Sequence, residues 1–228
     1  MLLFVDNLTN VDFSFLDPLR GLLGETWLAN VRLLGELDEQ GMVCDFGTVK
    51  KITRKGLDDE LDPRLAVPVR SPNIRITEDN DYITIEWKFG AKGEFISTRS
   101  PRDAIALVDA EVLTPETVAA WCITRLKQLF PVSVRLELDF TNEHIDGAFY
   151  HYSHGLKKHL GNCQRIAHGH RSRIDIGANG KKSPLLEQHW ADAWEDIYIG
   201  TREDIVGKPQ FDDIDYYRFA YDAQQGPF

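Results

Sequence analysis

Cysteine is scarce in this chain, with Cys44, Cys122 and Cys163 the only three in 228 residues. An odd and widely spaced set argues against a disulfide framework and for a reducing compartment. No apolar run approaches the length of a membrane span, and no basic, hydrophobic leader opens the chain. Neither a membrane association nor secretion is therefore expected, and the cytoplasm is the default. Positive charge is in deficit, with 26 Lys and Arg against 36 Asp and Glu and a formal net charge of -10, which disfavours nucleic acid as the main partner. Arg165, Arg171 and Arg173 can still form a local basic patch for a phosphorylated small molecule. The length allows one large or two small domains with a real core.

The residues that carry chemistry gather in the last third. His154 closes one expected strand, and His168-Gly-His170 opens the next, with Cys163 in the connection. Side chains two apart on a strand share a face, so His168 and His170 can converge on one point and His154 can supply a third imidazole. Three imidazoles with no fourth protein ligand in that stretch leave an open position, the pattern of a catalytic zinc site. Neutral imidazole also suits copper, iron and nickel, so zinc is a preference. The competing reading is a polar pair on a half-solvated strand. Against it, His168, His170, Ser172, Ile174 and Ile176 share one face, so the histidines sit where isoleucines are buried, and a bound cation compensates a desolvated imidazole cluster.

The rest reads as strands in hairpins with a few helices, an α+β arrangement with helices on one face of an antiparallel sheet. Strands are expected near 1–5, 11–16, 26–34, 42–46, 74–76, 82–87, 94–97, 132–140, 148–153 and 170–176. Thr114 as N-cap with Pro115 at the first position starts a helix running to about Phe130. A second helix begins at Ser183-Pro184, with Leu186, Trp190, Ala193 and Trp194 on its buried side. A third runs from Thr48 towards Glu60, with Val49, Ile52 and Leu57 inward and lysines outward. Asp45 is expected to be a turn or cap residue, and Cys44 and Cys122 small buried hydrophobes.

Tyr150-His-Tyr-Ser-His154, Cys163 and His168-Gly-His170 together resemble the zinc motif of the 6-pyruvoyl tetrahydropterin synthase and 6-carboxytetrahydropterin synthase family. Gly41-Met-Val-Cys-Asp-Phe-Gly47, the lysine-rich helix after it, Leu61-Asp62 and Thr114-Pro-Glu-Thr117 add to the likeness, which covers most of the chain. The resemblance implies the tunnelling fold (T-fold), in which subunits join sheet edges into a barrel with helices outside and active sites between subunits; a homo-oligomer is therefore expected. It also implies Zn2+ on His154, His168 and His170, Cys163 as catalytic base, Asp62 as a further acid and Glu116 as a pterin anchor. The implied reaction is a zinc-dependent lyase reaction on 7,8-dihydroneopterin triphosphate. It gives 6-carboxytetrahydropterin, on the route to queuosine and other deazapurines, or a 6-pyruvoyl pterin. A non-catalytic pterin-binding or assembly module of the same family is the alternative. In one departure, Asp62 is followed by Pro63 where the family has histidine.

The motifs stand in an unusual order, the zinc motif last, and an internal repeat accounts for it. Phe13-Ser-Phe-Leu-Asp17 matches Tyr150–His154, and Leu23-Gly-Glu25 matches His168-Gly-His170, so the first copy lacks all three ligands. Asp81-Tyr-Ile with Gly93-Glu-Phe95 pairs with Asp215-Tyr-Tyr and Gly226-Pro-Phe228. Two modules are expected, 1–143 without the histidines and 144–228 with them, the second incomplete and truncated after its last hairpin.

Overall fold

The computed structural model describes residues 1–158 and 165–228. Strands β1 (Leu2–Asp17) and β2 (Gly21–Leu34) form a long hairpin, followed by helix α1 (Phe46–Glu60) and strand β3 (Leu65–Pro68). A three-stranded antiparallel sheet comes next, β4 (Ile74–Asp79), β5 (Tyr82–Phe89) and β6 (Glu94–Pro101). Strand β7 (Ile105–Val108), helix α2 (Pro115–Leu126) and strand β8 (Arg135–Asn142) complete the first half. A second hairpin, β9 (Phe149–Gly155) and β10 (His168–Arg173), leads through the short ribbon β11 (Gly177–Ala178) and β12 (Lys181–Lys182) to α3 (Pro184–Ala193) and β13 (Ile197–Gly200). Two- and three-residue strands occupy the remainder.

The main sheet has the order β7-β3-β1-β2-β8, and a smaller one the order β10-β9-β13. Both are mixed, not purely antiparallel: β3 runs parallel to β1 and to β7, and β13 runs parallel to β9. Strands β3 and β13 return after helices α1 and α3, and β7 after the β4–β6 sheet, long crossovers of the kind a parallel neighbour requires. Helices α1 and α2 cover the face of the main sheet that carries Val11, Phe13, Phe15, Trp27, Val31 and Leu33, and this is the principal core. Leu16, Leu65, Val67, Ile83, Ile85 and Trp87 form a second core beneath β4–β6.

Helix α2 starts as its sequence predicts. Thr114 accepts from the Thr117 backbone N–H while the Thr117 hydroxyl accepts from that of Thr114. In α1, Val49 and Leu57 are buried and the lysines exposed, as expected. Two expectations fail. Residues 42–46 are not a strand, because Asp45 caps α1 by accepting from the Thr48 N–H at 2.7 Å and Phe46 is already helical. In α3 the stripe of Leu186, Trp190, Ala193 and Trp194 is not the buried side; Glu187 and Ala191 are. The Glu187 carboxylate accepts from the Ile176 N–H at 3.0 Å and lies 3.7 Å from Lys182, which turns that face inward and leaves Trp190 and Trp194 42% and 39% exposed.

The two hairpins lie against each other and share one pattern. In β1–β2 the cross-strand pairs are Phe13↔Glu25, Ser14↔Gly24 and Phe15↔Leu23. In β9–β10 they are Tyr152↔His170, Ser153↔Gly169 and His154↔His168. The Ser–Gly pair of one hairpin meets that of the other: Ser14 Oγ and Ser153 Oγ share a buried 2.7 Å hydrogen bond. A Cβ on Gly169 would lie 2.4 Å from the Gly24 Cα, and one on Gly24 only 1.9 Å from the Tyr152 carbonyl oxygen. Register thus sets Phe15, Leu23 and Glu25 where the second hairpin has His154, His168 and His170. This agrees with the sequence match for Leu23-Gly-Glu25 but corrects that for Phe13–Asp17, which is displaced by two residues. The strands run on to different lengths before turning, so matching strand ends misplaces the register.

Candidate metal centre

The hairpin register brings the histidines together. His154 and His168 are directly opposed, and His170 follows on the same face of β10. Their candidate ligand nitrogens all lie within 4.8 Å of one another, and this is the one such cluster found among the described residues. His154 Nε2 and His170 Nε2 are 3.3 Å apart. His154 and His168 are buried, at 7% and 9% exposure. Three converging, largely desolvated imidazoles fit a bound metal ion, which recovers the cost of crowding these groups away from water.

Two carboxylates from the first half border the cluster. Asp62, just beyond α1, has Oδ1 3.4 Å from His168 Nε2. Asp12, on β1, has Oδ1 3.5 Å from His170 Nδ1. Asp12 is the neighbour that sequence reading missed, since nothing local marks an aspartate on a half-buried strand. Burial would raise its carboxyl, but hydrogen bonds from His170 and Thr26 and the charge of the nearby imidazoles outweigh burial and hold it below the usual carboxylate range. The Thr26 hydroxyl donates to Asp12 Oδ1 at 2.5 Å and in turn accepts from the Arg171 N–H at 3.2 Å.

At the related position, Glu25 lies 3.3 Å from Arg171 Nε and 3.8 Å from His151 Nδ1. Burial pushes Glu25 upward against the Thr26 N–H and the Arg171 charge. His151 points away from the triad and donates from Nδ1 to the Gly24 carbonyl at 2.8 Å. His144 is exposed, 3.2 Å from Asp146.

The other candidates are placed differently. Cys163 and His159 lie outside the described residues. The chain on either side of them is tied down: Lys157 Nζ lies 2.9 Å from Asp204 Oδ1, and the Tyr198 and Tyr221 hydroxyls donate to the Ile166 and Arg165 carbonyls at 2.7 and 3.1 Å. Glu116 is exposed at the start of α2, where a hydrogen bond with Thr114 lowers its pKa. It lines a cavity of about 250 Å³ with Ala119, Ile123, Leu138 and Phe140, which includes neither the triad nor Asp12 and Asp62. Cys122 is fully buried, its thiol pushed up to about 12 by desolvation, and is inert, whereas Cys44 is half-buried. Among the described residues no helix is long and apolar enough to cross a membrane.

A mixed α+β fold with a three-histidine cluster opposite two acids defines a candidate metalloprotein. The family model for 6-pyruvoyl tetrahydropterin synthase matches residues 17–140, and the chain belongs to that family. A Pyrococcus horikoshii protein assigned as a 6-carboxy-5,6,7,8-tetrahydropterin synthase is 31% identical over 105 residues, 46% of this chain and 57% of the relative. The chain thus matches little more than half the length of that relative. The structure of a catalytic-residue mutant of Plasmodium vivax 6-pyruvoyltetrahydropterin synthase superposes with a TM-score of 0.50 at 21% identity, covering 62% of this chain and 91% of that one. That likeness establishes the T-fold.

Proposed function

We propose that the chain is a zinc-dependent lyase acting on 7,8-dihydroneopterin triphosphate, forming 6-carboxytetrahydropterin or a 6-pyruvoyl pterin. The observation that carries this reading is the convergence of His154, His168 and His170 beside Asp62. These three imidazoles hold the ion, which when bound supplies Lewis acidity to the side-chain oxygens of the pterin. Cys163 is the base that takes the carbon-bound proton, the role that the family resemblance implies for it; a thiolate is the form that acts as such a base. Asp62, at His168, orients that ring and takes part in proton transfer. Glu116 accepts from the amino and ring N–H groups of a pterin. Since Glu116 lines a separate cavity, it serves a site completed by another subunit, in keeping with a cytoplasmic homo-oligomer. In this reading the chain is two T-fold modules, 1–143 and 144–228, with the metal ligands in the second.

The test is turnover of dihydroneopterin triphosphate by zinc-loaded protein, with Cys163→Ala as the control that keeps metal and loses activity. A second reading, a pterin-binding module without turnover, draws on Pro63 in place of the family histidine and on the loss of ligands at Phe15, Leu23 and Glu25. Pterin binding by zinc-loaded wild type without product would favour it.

A further inference from the structure

We propose that Asp12, contributed by the hairpin that has no metal ligands of its own, is the positioning carboxylate of the metal centre, and that the site is incomplete without it. The inference rests on the proposed metal site and extends it to a residue 142 positions before the first ligand. His170 Nε2 is turned into the cluster, 3.3 Å from His154 Nε2. Ligation through Nε2 leaves Nδ1–H as the ring's remaining donor, and the acceptor in front of it is Asp12 Oδ1 at 3.5 Å. A metal-bound imidazole characteristically donates its second N–H to a carboxylate, which selects the tautomer, fixes the ring plane and makes the ligand more basic.

Asp12 is itself held in place. The Thr26 hydroxyl donates to the same oxygen at 2.5 Å, and the Arg171 N–H donates to that hydroxyl at 3.2 Å. The chain of contacts therefore starts at the residue after His170, crosses to β2, passes to β1 and returns to the His170 ring. It closes only when the hairpins are docked at Gly24 and Gly169, where no side chain separates them.

The related half of the crossing supplies an internal comparison. There the imidazole and the acid are exchanged: His151 stands where the first hairpin has Asp12, and Glu25 where the second has His170, 3.8 Å apart. An acid facing an imidazole thus occurs on both sides of the hairpin contact. Only on the Asp12 side does the ring also point at two further imidazoles. Removing the acid on that side should affect metal binding, and removing it on the other should not.

The experiment measures zinc and cobalt affinity of the intact chain by competition with a chromophoric chelator, together with the visible spectrum of the cobalt form. Wild type, Asp12→Ala, Asp12→Asn and Glu25→Gln are compared. Asp12→Ala is expected to weaken binding about 10- to 100-fold. Asp12→Asn, which keeps the shape and can still accept from Thr26, should fall between it and wild type, and the cobalt spectrum should change in both. Glu25→Gln should leave affinity and spectrum as in wild type. Should Asp12→Ala not fold, Asp12→Asn and Thr26→Val, which frees the carboxylate from its anchor, carry the same test. Wild-type affinity in folded Asp12 variants overturns the proposal while leaving the metal site standing, as does an equal loss in Glu25→Gln. Absence of stoichiometric metal in wild type overturns both.

Discussion

Gly24 and Gly169 touch backbone to backbone, so closely that a Cβ on Gly169 would stand 2.4 Å from the Gly24 Cα and 2.5 Å from the Phe13 carbonyl oxygen. Neither glycine needs unusual dihedrals; both are there because the two hairpins leave no room for a side chain. The contact brings Asp12 and the β1–β2 hairpin up to the three histidines.

Gly169→Ala should therefore destabilise the fold by about 3 kcal/mol, the upper part of the range for overpacking, because the Gly24 Cα and the Phe13 carbonyl oxygen are main chain and cannot rotate away, and the Ser14 hydroxyl beside them is held by Ser153. The same variant should bind metal more weakly, since it separates His170 from Asp12. Denaturant titration with parallel metal titration checks both effects.

Ser14 and Ser153 are each other's buried partner at 2.7 Å. Either single change to Ala strands the remaining hydroxyl and should cost about 1–3 kcal/mol, whereas the double change should cost less than the sum of the two. A double-mutant cycle by urea unfolding reads this coupling directly. Additive losses would mean that the two hydroxyls do not depend on each other.

Metal content separates a ligand cluster from a packed polar one. Purified wild type should carry about one zinc per chain, and the His168→Ala, His170→Ala double variant none, by elemental analysis. Equal content in the two proteins would place the metal elsewhere.

Burial lowers the pKa of His151, opposed by its hydrogen bond to the Gly24 carbonyl, so folding favours the neutral ring. In the unfolded chain it titrates near about 6.5, so the unfolded state binds the proton more readily. The stability this group contributes is present in full above that value and is lost as pH falls from there through the folded pKa. His151→Gln should show a shallower fall in unfolding free energy than wild type between about pH 7 and 5, measured by urea titration at each pH. Identical slopes would mean that His151 titrates alike in both states.

Local signals were readable where a few neighbouring residues decide the outcome. The start of α2 at Thr114-Pro115 depends on groups three residues apart, and its cap forms as expected. The inward face of α1 follows from helical spacing. The start of the same helix is hidden in the sequence because Met42, Val43 and Phe46 resemble a strand, while the Asp45 cap outweighs them. The orientation of α3 is hidden for a different reason: Glu187 looks like a surface residue until the Ile176 N–H and Lys182 are opposite it.

The triad itself was legible in sequence, since a His-Gly-His run on a strand and one histidine on its hairpin partner need only strand alternation to converge. Family membership was legible because its motifs are short and local, and the family model matches residues 17–140. What only the tertiary structure decided is that Asp12 joins Asp62 beside the histidines and which residues of the first hairpin correspond to them. Asp12 meets His170, and Asp62 meets His168, across more than a hundred residues of chain. No periodicity connects these positions. The Asp12 contact depends on one close backbone crossing at Gly24 and Gly169, and such contacts are set by how sheets pack, which strand patterning alone does not specify.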